Sequence, residues 1–430
     1  MEYLRGISEG LRRALLRRRA CDERDDMGTL VGVEGLVCLR EALKSHFFSF
    51  CYRYGMPPLG GTSITSDSGW GCMHRSAAML LARVLTLLLF VSPQESLSLE
   101  NFKTLRMFMD DEVSSNSGFR PYSLHAMLAT KLTHAGAWIG PAKASRILKT
   151  IVHSDSARAN KEEAERQSCA DSRLEHPDSK LAVVVADQAV YVDAVAAEYT
   201  ARQQQLLGTA TPSEPGPLLL LVSLRLGLTS VNEMFHTRLR EALREPHCVG
   251  FLGGLPSRAL YIVGLTSSSE HFVAIDPHYP LPFHDQISEP FPSKELLEQV
   301  CDDDVELLDA SSLDASLVAA FLFNNYEGFS EWAVSRQIQG ASGAPRVELI
   351  PVHDRCPDVC DRLYFAGGKD GQEGNAAPDS VPENAARTGE RCDCGSGVRE
   401  GADAEMGKNY EVETDVGVVA EEDEDGFIFV

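Results

Sequence analysis

TSITSDSGWGCMHRSAAMLLARVLTLLLF, residues 62–90, decides how this chain is read. Gly, Ser, Thr and Asp crowd its first half, and these are turn formers. Residues 79–90 are an apolar run interrupted only by Arg83 and Thr86, with the length and Ala/Leu content of a buried helix. Cys72 stands where turn becomes helix. The first N–H groups of a helix have no intrahelical partner and carry partial positive charge. A thiol placed there is stabilised as thiolate, the nucleophilic form. Glycines on both sides of Trp70 let the backbone bend tightly and leave the sulfur accessible. A buried free cysteine is the plain alternative, because a nucleophile also needs a base and a group to orient the base.

The base is sought in HFVAIDPH, residues 271–278, an apolar strand ending in Asp276 and His278. Side chains at i and i+2 leave the same face of an extended chain. Pro277 fixes its own φ and pushes Asp276 toward extended backbone. A carboxylate and an imidazole can then lie side by side, the carboxylate fixing the tautomer and favouring the protonated ring. A turn at the end of a strand explains Asp-Pro-His equally well. On spacing alone His271, His74, His125 and His134 remain open, although His74 falls on the far side of the helix from Cys72. Tyr52 carries a phenol that could donate to an oxyanion; a half-buried core tyrosine is the alternative.

Size and charge set limits. At 430 residues the chain can bury a full core in two or three domains at most. A net charge of −23 argues against nucleic-acid binding, since phosphates reward basic surfaces. Residues 366–430 carry a net −12 of that charge, with 17 Asp/Glu against 5 Lys/Arg. The 11 cysteines are odd in number and scattered, and no signal peptide opens the sequence, so free thiols in a cytoplasmic setting are expected. No stretch reaches the roughly 18 uninterrupted apolar residues of a membrane span.

Three regions are expected. Residues 1–27 form a basic arm with Leu4, Ile7, Leu11 and Leu15 at helical spacing. The arm reads either as a helix making transient contact with an anionic membrane surface or as a solvated terminal helix. Residues 28–365 form the folded domain, with 154–180 a polar surface insertion, flexible or weakly helical. Residues 366–430 form an acidic disordered tail. Within the domain, helices are expected over 29–56, 123–136, 143–152, 189–205 and 230–245. Strands are expected over 181–186, 217–228, 248–254, 259–266 and 271–275, and GAWIGP is a tight turn carrying Trp138. Strands in runs and helices in runs give an α+β class with a central antiparallel sheet packed by helices.

GGTSITSDSGWGCMHRSAAMLLA strongly resembles the active-site segment of the autophagins, cysteine peptidases that process ubiquitin-like autophagy modifiers. FSFCYRY, GAWIGP, LVSLRLGLTSVNE and the pair GGLPSRALYIVG / AIDPHYPLPF resemble them in the same order, over about residues 38–362 and interrupted only by 154–180. The resemblance implies a papain-like fold and a catalytic triad of Cys72 as nucleophile, His278 as base and Asp276 as its orienter. It implies Tyr52 in the oxyanion hole beside the Cys72 N–H. It implies that Trp138 and the loop GGLPS (253–257), with Gly254 and Pro256, cover the site and open as the modifier's C-terminal glycine threads in. The implied reaction is hydrolysis after that glycine, both to prime the modifier for conjugation and to release it from phosphatidylethanolamine. A deubiquitinase-like thiol peptidase and a non-catalytic modifier-binding paralogue are the alternatives. His74 and Ser76 depart from the apolar or cysteine residues usual in relatives, the turn TSSSE (266–270) is longer, and a tryptophan-rich start is missing.

The chain ends EEDEDGFIFV. Phe427 and Val430 have the aromatic-x-x-aliphatic spacing of the short motif by which autophagy proteins bind the modifier, adding a strand to a sheet edge. Cys356 and Cys360, with Cys392 and Cys394, lack the C-x2-C spacing of structural zinc sites, and no metal or other cofactor is expected.

Overall fold

The computed structural model describes residues 27–89, 101–110, 120–166, 180–207, 216–283, 300–301, 304–341 and 348–356. The central helix runs Cys72–Leu89, and every side chain from Cys72 to Thr86 is buried. It is long and apolar enough to cross a membrane by composition, yet 83% of it lies inside the fold. It packs against strands of a large sheet and against the helices Asn101–Arg106, Leu124–Ala129 and Pro141–Arg166. A helix apolar on all sides has this position as its natural place.

The strands in chain order are β1 (Met27–Leu30), β2 (Val37–Cys38), β3 (Arg53–Tyr54), β4 (Ala182–Asp187), β5 (Val190–Tyr191) and β6 (Leu218–Ser230). They continue as β7 (Cys248–Leu255), β8 (Arg258–Thr266), β9 (His271–Ile275), β10 (Leu281–Pro282), β11 (Glu306–Asp309), β12 (Asp314–Phe323) and β13 (Val352–His353). The main sheet has the order β11-β9-β8-β7-β12-β6-β4, with β1 pairing β8 at residues 264–266, beyond the stretch of β8 that pairs with β7. Its pairs are antiparallel except β4 with β6. The expected antiparallel sheet is therefore mixed at one edge. The chain returns from β4 through the helix Val192–Leu207 to β6, and a helical crossover makes successive strands parallel. The apolar run of β4, without alternation, is the sign of such a strand.

Several expected elements change. Residues 29–56 hold only the helix Leu39–His46, because the aromatic stretch after it is captured by tertiary bonds. Tyr52 N–H donates to the Pro277 carbonyl at 2.9 Å, and the Leu281 N–H donates to the Tyr52 carbonyl at 2.9 Å. β3 and β10 pair in parallel there. The helix expected over 123–136 stops at Ala129, where Lys131 takes a φ of 61°. The helix Pro141–Arg166 runs on into the region expected as a polar insertion. Asn232 occupies the N-cap position of the helix Glu233–Leu243 without a side-chain cap bond. β11, β12 and the helix Tyr326–Ala341 were not anticipated; β12 sits between β6 and β7 in the middle of the sheet.

Three more bonds tie the front of the chain to the core. Arg83, buried in the central helix, donates to the carbonyls of His46 (2.9 Å), Val31 (3.1 Å) and Gly32 (2.8 Å), and lies over the Phe47 ring. Burial without a carboxylate brings its pKa down to about 10.

Candidate active site

The turn before the central helix is built around Asp67, which is fully buried. Its carboxylate accepts the Arg53 N–H at 2.6 Å and the Arg75 Nε at 2.6 Å, and its carbonyl accepts the N–H groups of Trp70 and Gly71. A Cβ on Gly71 would lie 2.6 Å from the Asp67 carboxylate, and Gly69 has a φ of +87°, so both positions require glycine. Arg75 also reaches Asp110 at 2.6 Å, and Asp110 accepts the Leu124 N–H at 2.7 Å. Removing either carboxylate from this buried cluster is expected to cost about 3–5 kcal/mol. The cluster fixes the turn that delivers Cys72 to the first position of the helix.

β9 delivers the other half. Asp276 and His278 follow its last residue, Ile275, which pairs with Tyr261 of β8. Asp276 Oδ1 meets His278 Nδ1 at 2.6 Å and accepts the His278 N–H at 3.0 Å. That leaves Nε2 as the ring nitrogen available to Cys72. Asp276 Oδ2 is bonded to Arg258. The Tyr52 ring stands edge-on to the His278 ring, centroids 5.3 Å apart, and its phenol lies beside Cys72.

The electrostatics follow from these contacts. Burial pushes the Cys72 thiol up, but His278, the Ala259 N–H and the Tyr52 phenol all bond the sulfur, and the net shift is downward. Burial works against the His278 cation, yet its bonds to Asp276 and Cys72 lift it to about 9. Burial would raise Asp276 too; the bond from His278 and the charge of Arg258 hold it well below the usual carboxylate range. Tyr52 is pushed up by burial and by the adjacent sulfur, so it stays a donor. The arrangement favours a thiolate–imidazolium pair backed by a carboxylate, with a phenol and a helix N-terminus beside the sulfur. The description "Peptidase C54 catalytic domain" matches residues 39–335. The chain belongs to the peptidase C54 family. Its α+β, papain-like architecture is the one expected.

Among its relatives in this family is the "Probable cysteine protease atg4" of Sclerotinia sclerotiorum, 27% identical over 327 residues, which cover 74% of this chain and 64% of that protein. Another is the "Cysteine protease ATG4B" of Gallus gallus, 28% identical over 347 residues, covering 72% of this chain and 80% of that protein. The chain thus spans a little under two thirds of the fungal relative's length.

The remaining site residues fall as follows. Trp138 is 52% exposed and donates from Nε1 to the Gly69 carbonyl at 2.6 Å, which sets it against the turn that carries Cys72. Gly254 has a φ of +139°, and a Cβ there would lie 2.2 Å from the Arg258 carbonyl. Pro256 is exposed in the β7–β8 turn, whose return strand brings the Ala259 N–H to Cys72. The other candidate histidines have different surroundings. His271 pairs with Asp309 at 2.9 Å at the far end of β9. His74 is buried against Trp70, its pKa lowered to about 3 by burial and Arg75, and neither ring nitrogen has a partner. His134 faces the Ala135 carbonyl at 3.2 Å, and Nε2 of His125 is buried without a partner.

Phe427 and Val430 lie outside the described residues, as do Cys360, Cys392 and Cys394. Sequence reasoning missed Asp67, Arg75 and Asp110, whose buried cluster sets the turn, and Arg258 and Glu306 behind Asp276. The Asp in TSDSG was a visible signal for the first group. Nothing local marks the second, because its members meet only when β8, β9 and β11 pair.

Proposed function

We propose that this chain is a cysteine endopeptidase that cleaves after the C-terminal glycine of a ubiquitin-like autophagy modifier. It does so to prime the modifier and to release it from phosphatidylethanolamine. The carrying observation is His278, held by Asp276 at 2.6 Å and set beside Cys72 at the start of a buried helix.

The chemistry follows from that run. The Cys72 sulfur attacks the carbonyl carbon of the substrate glycine, and the C=O becomes an oxyanion. The Tyr52 phenol and the Cys72 N–H receive the oxyanion. The imidazolium of His278 gives its proton to the departing amine as the C–N bond breaks, leaving a thioester. His278 then takes a proton from water; the hydroxide attacks the thioester, and the sulfur leaves as thiolate. When the departing amine is that of phosphatidylethanolamine, the same steps release the modifier from its lipid.

Access supports a glycine requirement. Ala259, at the start of β8, lies beside the sulfur, so substrate has to enter past the β7–β8 turn. Trp138 lies against the Gly69 carbonyl on the neighbouring turn. A residue without a side chain passes such walls most easily. On this reading Gly254, Pro256 and Trp138 select the substrate, Phe427 and Val430 tether the modifier, and residues 1–27 touch the membrane in a cytoplasmic enzyme. Leu228 and Met234, 87% and 57% exposed, lie where β6 leaves the sheet, at the end that also carries the β7–β8 turn, and they offer an apolar footing for the body of the modifier.

The test is cleavage of a C-terminally extended modifier followed by mass spectrometry. Wild type is expected to cut after the glycine, Cys72→Ala not at all, and a Gly→Ala substrate poorly. Equal cutting of the alanine substrate points instead to a general papain-type or deubiquitinase-like peptidase. Binding without cutting by the wild type points to a modifier-binding protein.

A further inference from the structure

Arg258 closes the β7–β8 turn, where it pairs with Leu255. Its Nη2 is bonded to Asp276 Oδ2, and its Nη1 meets Glu306 Oε1 at 2.8 Å. The two oxygens of Asp276 are therefore divided: Oδ1 serves His278, ring and backbone, and Oδ2 serves Arg258. Asp276 is buried, while Arg258 and Glu306 are half-buried. Glu306 is the first residue of β11, opposite Ala274 of β9, so the far side of the guanidinium is anchored to the sheet. The residue after Arg258 is Ala259, whose N–H reaches the Cys72 sulfur.

The terminal torsion of an aspartate is broad and nearly two-fold, so a carboxylate held by one oxygen swings easily. A planar guanidinium with several fixed donors can hold a carboxylate on each side; an ammonium is a point charge on a flexible stem. We propose that Arg258 is a positioning residue of this peptidase. By gripping Asp276 Oδ2 from the β7–β8 turn, with Glu306 as its anchor, it fixes the rotation of the carboxylate and so the aim of His278 at Cys72. This inference rests on reading Cys72, His278 and Asp276 as the triad. It joins the turn that overhangs the sulfur to the group that orients the base. Displacement of that turn by substrate and alignment of the triad are then linked through one side chain. The charged and titratable groups around His278 are Cys72, Asp276 and Tyr52, with Arg258 and Glu306 behind Asp276 and Asp304 lining the same small cavity as Asp276.

The experiment uses the full chain as R258Q, R258K, E306Q and D276N beside wild type. Two readouts are taken: kcat and KM on the extended modifier from pH 5 to 10, and the rate of Cys72 alkylation by iodoacetamide over the same range. R258Q is expected to lose about ten- to a hundredfold in kcat, with KM changed by no more than about twofold. Its acid-side limb should move to higher pH in both readouts, because a less well-supported imidazolium stabilises less thiolate. R258K should recover part of the loss, and E306Q should shift both readouts less but in the same direction. E306Q and R258K carry the test if R258Q does not fold. Unchanged kcat and alkylation in R258Q overturn the proposal. So does a fall in kcat with both pH profiles unmoved, or faster alkylation, which would make Arg258 only a latch on the turn. D276N with wild-type turnover would instead break the triad reading, and the alkylation profile, which needs no substrate, would still decide the role of Arg258.

Discussion

Two buried thiols each open an element of this fold: Cys72 at the start of the central helix and Cys248 at the start of β7. They are equally hidden, 3% and 1% exposed, yet their surroundings shift them in opposite directions. Burial drives the Cys248 thiol to about 12; the Gly250 N–H at 3.4 Å offsets little of that, and Glu245 adds to it. Burial acts on Cys72 in the same direction, but His278, the Ala259 N–H and Tyr52 all reach its sulfur and reverse the outcome. Reactivity here is set by the donors gathered at the sulfur, not by its depth. A lone cysteine in a sequence is silent on that point, because the donors come from other segments, Tyr52 from 20 residues before it and Ala259 and His278 from nearly two hundred or more after it.

The contrast can be broken most severely by removing the main donor. His278→Gln should cut turnover by at least about a thousandfold and slow Cys72 alkylation at neutral pH toward the rate of an ordinary buried thiol. Retention of fast alkylation would mean the helix start alone makes the thiolate. Tyr52→Phe removes one hydrogen bond from the sulfur and one from the oxyanion; kcat should fall by about a hundredfold in steady-state assays, with protein stability measured alongside by denaturant titration.

A pH series sharpens the comparison. His278 is raised to about 9, so the imidazolium persists through neutral pH and is lost above that value. Turnover should therefore fall on the alkaline side near pH 9, as the proton for the leaving amine disappears. At pH 6 to 7 iodoacetamide followed by peptide mapping should mark Cys72 and spare Cys248. The smallest effect is expected on the inert side. Cys248→Ala should leave kcat within about twofold and lower stability by about 1–2 kcal/mol through the small cavity it opens, read from a denaturation midpoint.

What was legible in the sequence had local physics behind it. The helix Cys72–Leu89 was visible because apolar residues surround it on every side, and the turn before it because its glycines and aspartate have few other uses. Asp276 and His278 were visible as a pair because two residues in extended backbone share a face, and their bond at 2.6 Å is the one that spacing allows. Choosing His278 over His271 was not local: it depends on which end of β9 faces the helix start. The resemblance to the autophagins made that choice; in the fold His278 lies beside Cys72, while His271 pairs with Asp309 at the other end of the strand. The stretch after His46 misled for a similar reason. FFSFCYRY suits a helix in isolation, yet its backbone is bonded to residues 277 and 281, which no window of that segment contains. The parallel edge strand β4 and the central position of β12 are likewise matters of pairing over long separations.

The three carbonyls around Arg83 bear on how far the protein can be shortened. They belong to residues 31, 32 and 46, and together they hold a cation that no carboxylate meets among the described residues. A fragment starting after residue 32 would keep the whole C54 match, residues 39–335, and still leave that guanidinium short of two acceptors in the interior. The family boundary is therefore not the folding boundary. A minimal fragment for crystallisation or inhibitor screening should begin no later than Met27, so that β1 and the Val31 and Gly32 carbonyls that follow it travel with the helix they complete.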